Sequence, residues 1–69
     1  MEKIKPIALR ANKGMTRKEL ADAFEKRGVN MTERKLQERE MGSTKWLAVE
    51  LVVLMDVFDI KDVNLIDVS

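Results

Sequence analysis

The chain lacks cysteine, histidine and tyrosine, and among its 69 residues it has only one tryptophan, one proline and three glycines. Without cysteine there are no disulfides, and without cysteine or histidine an ordinary zinc site has no ligands. Without histidine or cysteine, acid–base or nucleophilic catalysis would fall to carboxylates, lysine or serine in a sizeable pocket. A chain this short also has little room to enclose a substrate pocket, so we expect no enzyme, no cofactor and no metal.

Long hydrophobic runs are also scarce. The longest apolar-rich stretch, residues 46–58, is interrupted by Glu50 and Asp56 and is too short to span a bilayer. The first residues do not have the pattern of a secretory signal. These two observations predict a cytoplasmic protein.

The formal net charge of +1 hides an uneven distribution. Residues 1–18 carry six basic side chains and one acidic one, a balance of +5, whereas residues 46–69 carry five acids and one lysine, a balance of −4. A basic N-terminal part suits a polyanionic partner. Composition alone still favours the simpler alternative of a mixed, solvated surface.

Capping residues and glycines predict four helices. A first helix is expected over Pro6 to Asn12, since proline is tolerated in a first turn. Thr16 to Glu19 has the pattern of a capping box, which starts a second helix reaching about Arg27. Thr32 is a plausible N-cap for a third helix over Glu33 to Glu40. A fourth is expected over about 45–58, and residues 59–69 form a short final helix or an extended arm.

The third and fourth predicted helices differ sharply in polarity. The third has Leu36 as its sole large apolar residue, so either it frays or its exposed face has a ligand. In the fourth, eleven of the thirteen residues 46–58 are apolar. We expect one core-facing stripe and two apolar flanks that a partner covers, most simply in a homodimer. The stripe is Leu47, Leu51, Leu54 and Phe58; the interface candidates on the flanks are Trp46, Val52, Val53, Met55 and Val57.

An ordered series of residues resembles the Cro/phage-repressor family, the xenobiotic-response-element type of helix-turn-helix protein. The series comprises Leu9-Arg10, Lys13 to Arg17, Glu19 to Ala21, Leu36, Glu40, Gly42, Leu54, Phe58, Ile60 and Leu65-Ile66. The resemblance implies an all-α fold, a compact lambda-repressor-like bundle of four or five helices that is commonly dimeric on operator DNA. It implies one domain over 1–69, with the helix-turn-helix at about 16–41 and a packing or dimerisation element at about 45–69.

The resemblance also implies roles for individual residues. The third helix of the family lies in the major groove. The matching base-contact candidates are Glu33, Arg34, Lys35, Gln37 and Glu38. The matching phosphate-contact candidates are Thr16, Arg17, Ser43, Thr44 and Lys45. Arg10 and Glu40 match positions that often form a partly buried ion pair, and we interpret them as structural.

Three features of the chain depart from the family pattern. The segment from Glu25 to Met31 is longer than the usual tight turn, so either the second helix is extended or the turn is widened. Arg39 stands where an aromatic or aliphatic residue is common, which predicts a weaker seat for the third helix. The third helix is net neutral, whereas DNA affinity depends mainly on neutralising phosphates.

Two functions therefore remain open. The first is a small sequence-specific transcriptional regulator of the phage Cro or repressor type, which binds double-stranded operator DNA as a homodimer. The second is an antirepressor or modulator that uses the same domain to bind another repressor protein, an alternative that the neutral third helix and the apolar fourth helix both allow.

Overall fold

A computed structural model describes residues 2–68, so Met1 and Ser69 of the predicted domain lie outside the described residues. The architecture is all-α, as expected. The helices are α1 (Pro6–Asn12), α2 (Arg17–Lys26), α3 (Glu33–Glu40) and α4 (Ala48–Val57), followed by a single 3₁₀ turn at Val63–Leu65.

Side-chain caps start α2 and α3 where the sequence predicts. The Thr16 hydroxyl accepts a hydrogen bond from the Glu19 amide at 3.1 Å, and the Glu19 carboxylate accepts one from the Thr16 amide at 2.8 Å. This reciprocal arrangement satisfies two amides that the start of α2 would otherwise leave without partners. The Thr32 hydroxyl likewise accepts from the Lys35 amide at 3.0 Å at the start of α3.

The core lies between α2, α3, α4 and the C-terminal segment. Its buried hydrophobic residues are Leu20, Ala21, Phe24, Met31, Leu36, Val53, Leu54 and Ile66. Three of them come from α2, whose apolar positions recur at helical spacing and therefore share one face.

The core-facing side of α4 is as predicted except at its start. Leu54 is fully buried and Leu51 and Phe58 pack against the core, whereas Leu47, expected in the same stripe, is 54% exposed. The helix begins at Ala48 rather than near residue 45, because the Leu47 backbone is extended and its amide donates to the Glu50 carboxylate at 2.9 Å. Glu50 and Val53, which were not expected in the stripe, are also buried, so the buried face extends to their side of the helix.

The two ends of the chain meet beside the bundle. The Ile4 amide donates to the Leu65 carbonyl at 2.8 Å, and the Asp67 amide donates to the Ile4 carbonyl at 2.8 Å. These bonds form one isolated parallel bridge between Ile4 and Ile66, and the tail predicted as a helix or an arm contains both a 3₁₀ turn and this extended part.

Lys13 links the end of α1 to the end of α4. Its ammonium donates to the Val57 carbonyl at 2.8 Å and lies 5.7 Å from the centre of the Phe58 ring. A cation at a helix C-terminus interacts favourably with the carbonyls that have no partner in the helix.

We predict that Thr16→Ala lowers the free energy of unfolding, measured by urea denaturation, by about 1 kcal/mol, the typical loss for an N-cap.

The stability that Glu19 contributes should depend on pH. The hydrogen bond that the Thr16 backbone amide donates is the main reason that the pKa of the Glu19 carboxylate lies below its ordinary value. A lowered pKa in the folded state stabilises the fold above the ordinary pKa of glutamate, and this stabilisation disappears as the pH falls through the folded-state pKa. Urea denaturation at neutral and acidic pH should therefore show a smaller difference between the Glu19→Gln variant and the parent in acid. An equal difference at both pH values would contradict the role of this carboxylate.

Candidate nucleic-acid interface

Two consecutive helices, α2 and α3, pack against each other and are joined by residues 27–32. Gly28 ends α2 in the left-handed region, at φ +77°, and the Val29 amide donates back to the Phe24 carbonyl at 3.1 Å. The connection is then fixed by Met31, which is 2% exposed and whose amide donates to the Glu25 carboxylate at 3.0 Å. The long segment expected between these helices is thus a widened turn with an apolar anchor, and not an extension of α2.

Glu40, at the end of α3, is held by two guanidinium groups. Its carboxylate accepts from Arg10 at 2.7 and 3.1 Å and from Nε of Arg17 at 3.0 Å, and its side chain is fully buried. The predicted pair of Arg10 and Glu40 is therefore present, with bidentate geometry. Arg17 is a third member that the sequence did not reveal, and the cluster ties α3 to α1 and α2.

Arg39 makes a second ion pair, directed at α4. Its Nε and Nη2 donate to the two carboxylate oxygens of Glu50 at 2.8 and 3.2 Å, and its Nη1 donates to the Thr44 hydroxyl. The Arg39 and Glu50 side chains are only 10% and 2% exposed. The hydrogen bonds that Arg39 donates to Glu50 are the main reason that the pKa of Arg39 lies above its ordinary value.

This second pair corrects the expectation that Arg39 weakens the attachment of α3 to the core, because it joins α3 to α4. A guanidinium replaces the usual apolar contact because α4 supplies a matching carboxylate at Glu50. The sequence offers two separate signs of this pair but does not join them: Glu50 is a lone acid within an otherwise apolar turn of α4, and Arg39 lies three residues after Leu36, on the same side of α3. Burying either charge alone is costly, so each of the two residues depends on the other to be stable in the core.

The outer face of α3 consists of the five base-contact candidates. Glu33, Arg34 and Gln37 are exposed, and Lys35 and Glu38 are partly exposed. Since Arg39 and Glu40 are directed inward, the charges left on this face are two basic and two acidic. The structure thus brings all five candidates onto the outer side of α3, whose inner side is attached to the bundle by Leu36, Arg39 and Glu40.

The phosphate-contact candidates are less uniform. Ser43, Thr44 and Lys45 are exposed and follow the end of α3, although the Thr44 hydroxyl already accepts from Arg39. Thr16 is exposed, but its hydroxyl serves as the cap of α2. Arg17 uses Nε to bind Glu40, which leaves other guanidinium donors for a further acceptor.

The interface candidates on α4 need one correction. Val53 is 4% exposed and belongs to the core, because the inward turn of Glu50 carries its side of α4 into the bundle. Trp46, Met55 and Val57 are half-buried and pack against the same core, whereas Val52 is 62% exposed. The apolar residues that α4 and its N-cap leave most exposed are Leu47, Val49 and Val52.

Comparisons with known proteins add no family: no protein-family model matches the chain, and neither a curated protein nor a solved structure was found to be similar to it. Within residues 2–68, no helix has the length and apolar character needed to cross a membrane. The same residues contain no group of three or more carboxylates placed to hold a metal ion.

We predict a strong energetic coupling between Arg39 and Glu50. Arg39→Met should lower the free energy of unfolding by about 3–5 kcal/mol, because Glu50 would stay buried without its cation. The double variant Arg39→Met, Glu50→Met should recover most of this loss, since an apolar pair of similar volume is often as stable as a buried ion pair. Urea denaturation followed by circular dichroism measures both. Additive losses in the double variant would show that the two residues are not coupled.

We also predict that the two arginines of the Glu40 cluster are unequal. Arg10 is 14% exposed and bidentate, whereas Arg17 is 32% exposed and donates through one nitrogen. Arg10→Met should therefore destabilise the fold by about 3 kcal/mol and Arg17→Met by about 1 kcal/mol. Thermal unfolding of the two variants provides a matched comparison, and a larger effect at Arg17 would contradict the assignment.

Proposed function

We propose that this protein is a small sequence-specific DNA-binding regulator of transcription, of the phage Cro or repressor type, that binds operator DNA through α3. The observation that carries the proposal is the construction of α3. Leu36, Arg39 and Glu40 attach the inner side of the helix to the bundle through apolar packing and buried ion pairs. Five polar side chains occupy its outer side. A helix of this kind suits the major groove, where base edges offer hydrogen-bond donors and acceptors.

The surroundings of α3 support the same function. The start of α2 lies beside the end of α3, since Arg17 binds Glu40, and the exposed segment from Ser43 to Lys45 follows α3 in sequence. Helix-end amides and small polar residues commonly contact phosphates. Lys18 and Lys45 add exposed positive charge to these segments. Phosphate contacts made here would set the position of α3 without determining the sequence that it reads.

The exposed apolar side of α4 supports a second copy of the chain as partner. Leu47, Val49 and Val52 are each at least half exposed, and all three fall between the N-cap and the middle of α4. Dimers of helix-turn-helix proteins place two reading helices one turn of DNA apart. A symmetric pair joined at this surface would bind a palindromic site, in the cytoplasm of its host cell.

A protein partner is the second candidate function. The outer face of α3 has no net charge, and the apolar surface of α4 is open, which together suit an antirepressor that binds another repressor. The two functions differ in what α3 contacts, so a DNA-binding measurement separates them.

We expect specific, salt-dependent DNA binding that requires the basic side chains of α3. A duplex library of random sequence, selected on the purified protein, should yield a common motif, and binding should weaken as salt rises. Arg34→Ala and Lys35→Ala should each reduce affinity for that motif by at least about tenfold, the loss of one good base or phosphate contact. Lys26→Ala, which removes an exposed charge from the end of α2, is the control and should change affinity little. Failure to select any motif, with no binding at micromolar protein, would reject DNA binding and favour the repressor partner.

We expect Val52→Asp to convert a dimer into a monomer, because it places a charge in the middle of the exposed apolar surface of α4. Val68→Asp is the matched control, since Val68 is 50% exposed but lies in the C-terminal arm. Light scattering gives the molar mass of both variants and of the parent, free and bound to the selected duplex. A parent that is monomeric in both conditions, or an unchanged dimer with Val52→Asp, would refute this interface.

A further inference from the structure

Arg34 and Glu38 are two opposite charges that stand next to each other on the outer face of α3. Nε of Arg34 lies 3.8 Å from Oε2 of Glu38, and the two side chains are 89% and 41% exposed. An exposed pair one helical turn apart contributes little to stability. Each group is therefore available to exchange its partner for a ligand.

The other charges at this end of the helix are not available in the same way. Arg39 and Glu40 are bound in the two buried ion pairs. Glu38 is consequently the carboxylate of α3 that forms an ion pair with an arginine on the outer face of the helix. If α3 lies in the major groove, this carboxylate comes close to the base edges and to the phosphates.

A carboxylate in the major groove has few favourable partners. It only accepts hydrogen bonds, and the donors there are the amino groups of cytosine and adenine. The oxygens of guanine and thymine and the phosphates repel it, and so does N7 of adenine, which lies beside the adenine amino group. Cytosine is therefore the base that suits a carboxylate best. The Arg34 guanidinium has the opposite need, since it only donates and matches the two acceptors of guanine.

The spacing of the two charged groups is close to that of neighbouring bases. Stacked bases on one strand are about 3.4 Å apart, and Nε of Arg34 lies 3.8 Å from Oε2 of Glu38. We propose that Arg34 and Glu38 act as one reading unit, with Arg34 on a guanine and Glu38 on the amino group of a cytosine no more than one base step away. Repulsion between Glu38 and the phosphates thereby lowers the affinity for DNA of any sequence. A hydrogen bond from the cytosine amino group to Glu38 offsets this loss only where that cytosine is present.

This inference rests on the proposed function, and an exchange of specificity tests it. Glutamine is an isostere of glutamate that pairs with adenine through two hydrogen bonds. Glu38→Gln should change the preferred base at one position of the selected motif from cytosine to adenine. Its affinity for duplexes without the motif should also rise, because a negative charge near the phosphates is gone.

The control is Asp22→Asn, which removes one negative charge from an exposed position of α2. It should leave the motif unchanged, with the same guanine and cytosine preferred. At the reading position, the parent should bind the cytosine duplex on the order of tenfold more tightly than the adenine duplex, and Glu38→Gln should reverse this order. Fluorescence anisotropy with duplexes that differ at that single base pair measures both ratios.

The outcomes separate this inference from the proposed function. A parent that selects a motif, combined with a Glu38→Gln variant that keeps the same base preference at every position, would overturn the reading role of Glu38 and leave DNA binding intact. A motif that loses no guanine preference in Arg34→Ala would overturn the paired role of Arg34. A parent that selects no motif would reject the DNA-binding function itself and the reading unit with it.

Discussion

Two buried carboxylates, Glu40 and Glu50, determine how the third helix sits on the rest of the molecule. An eight-residue helix with one large apolar side chain buries little apolar surface, so hydrophobic packing alone holds it only weakly on a core. Glu40 binds arginines of α1 and α2, and Glu50 of α4 binds Arg39. Because a buried charge without its partner is costly, these contacts fix the position of α3 as well as its attachment.

This arrangement explains how a polar helix can have a defined outer face. Leu36 and the two ion pairs take up the inner side, and the charges that remain outside are balanced in sign. A balanced face gains less from general phosphate attraction than a basic one. Its contribution to DNA recognition would therefore come mainly from the hydrogen-bonding pattern of individual bases.

Much of the fold could be predicted from the sequence, because its signals are local. Thr16 and Thr32 start α2 and α3, and Gly28 ends α2 where a left-handed residue is required. The register of α4 could not be predicted in the same way. Apolar periodicity placed Leu51, Leu54 and Phe58 toward the core correctly, but it also placed Leu47 there and gave no reason to bury Glu50, whose partner Arg39 lies eleven residues away. An ion pair between separate helices leaves no periodic pattern within either one.

The same limit applies to the candidate site. Its base-contact candidates come as a set from the positions that the resemblance implies, and the structure places them on one face of α3. The second use of Arg17, as a partner of Glu40, and the core position of Val53 depend on how the helices pack. Those two assignments therefore required three-dimensional coordinates.

The measurement that tests the role of α3 most directly is an NMR titration of the isotope-labelled protein at low ionic strength, with the duplex that selection from a random-sequence library yields or, if selection yields none, with the library itself. We expect the largest amide shifts at residues 33–38, with smaller ones at the start of α2 and at residues 43–45. Shifts confined to residues 47–52 at the exposed apolar surface of α4, or no shifts at a protein concentration well above micromolar, would contradict a DNA-reading role for α3.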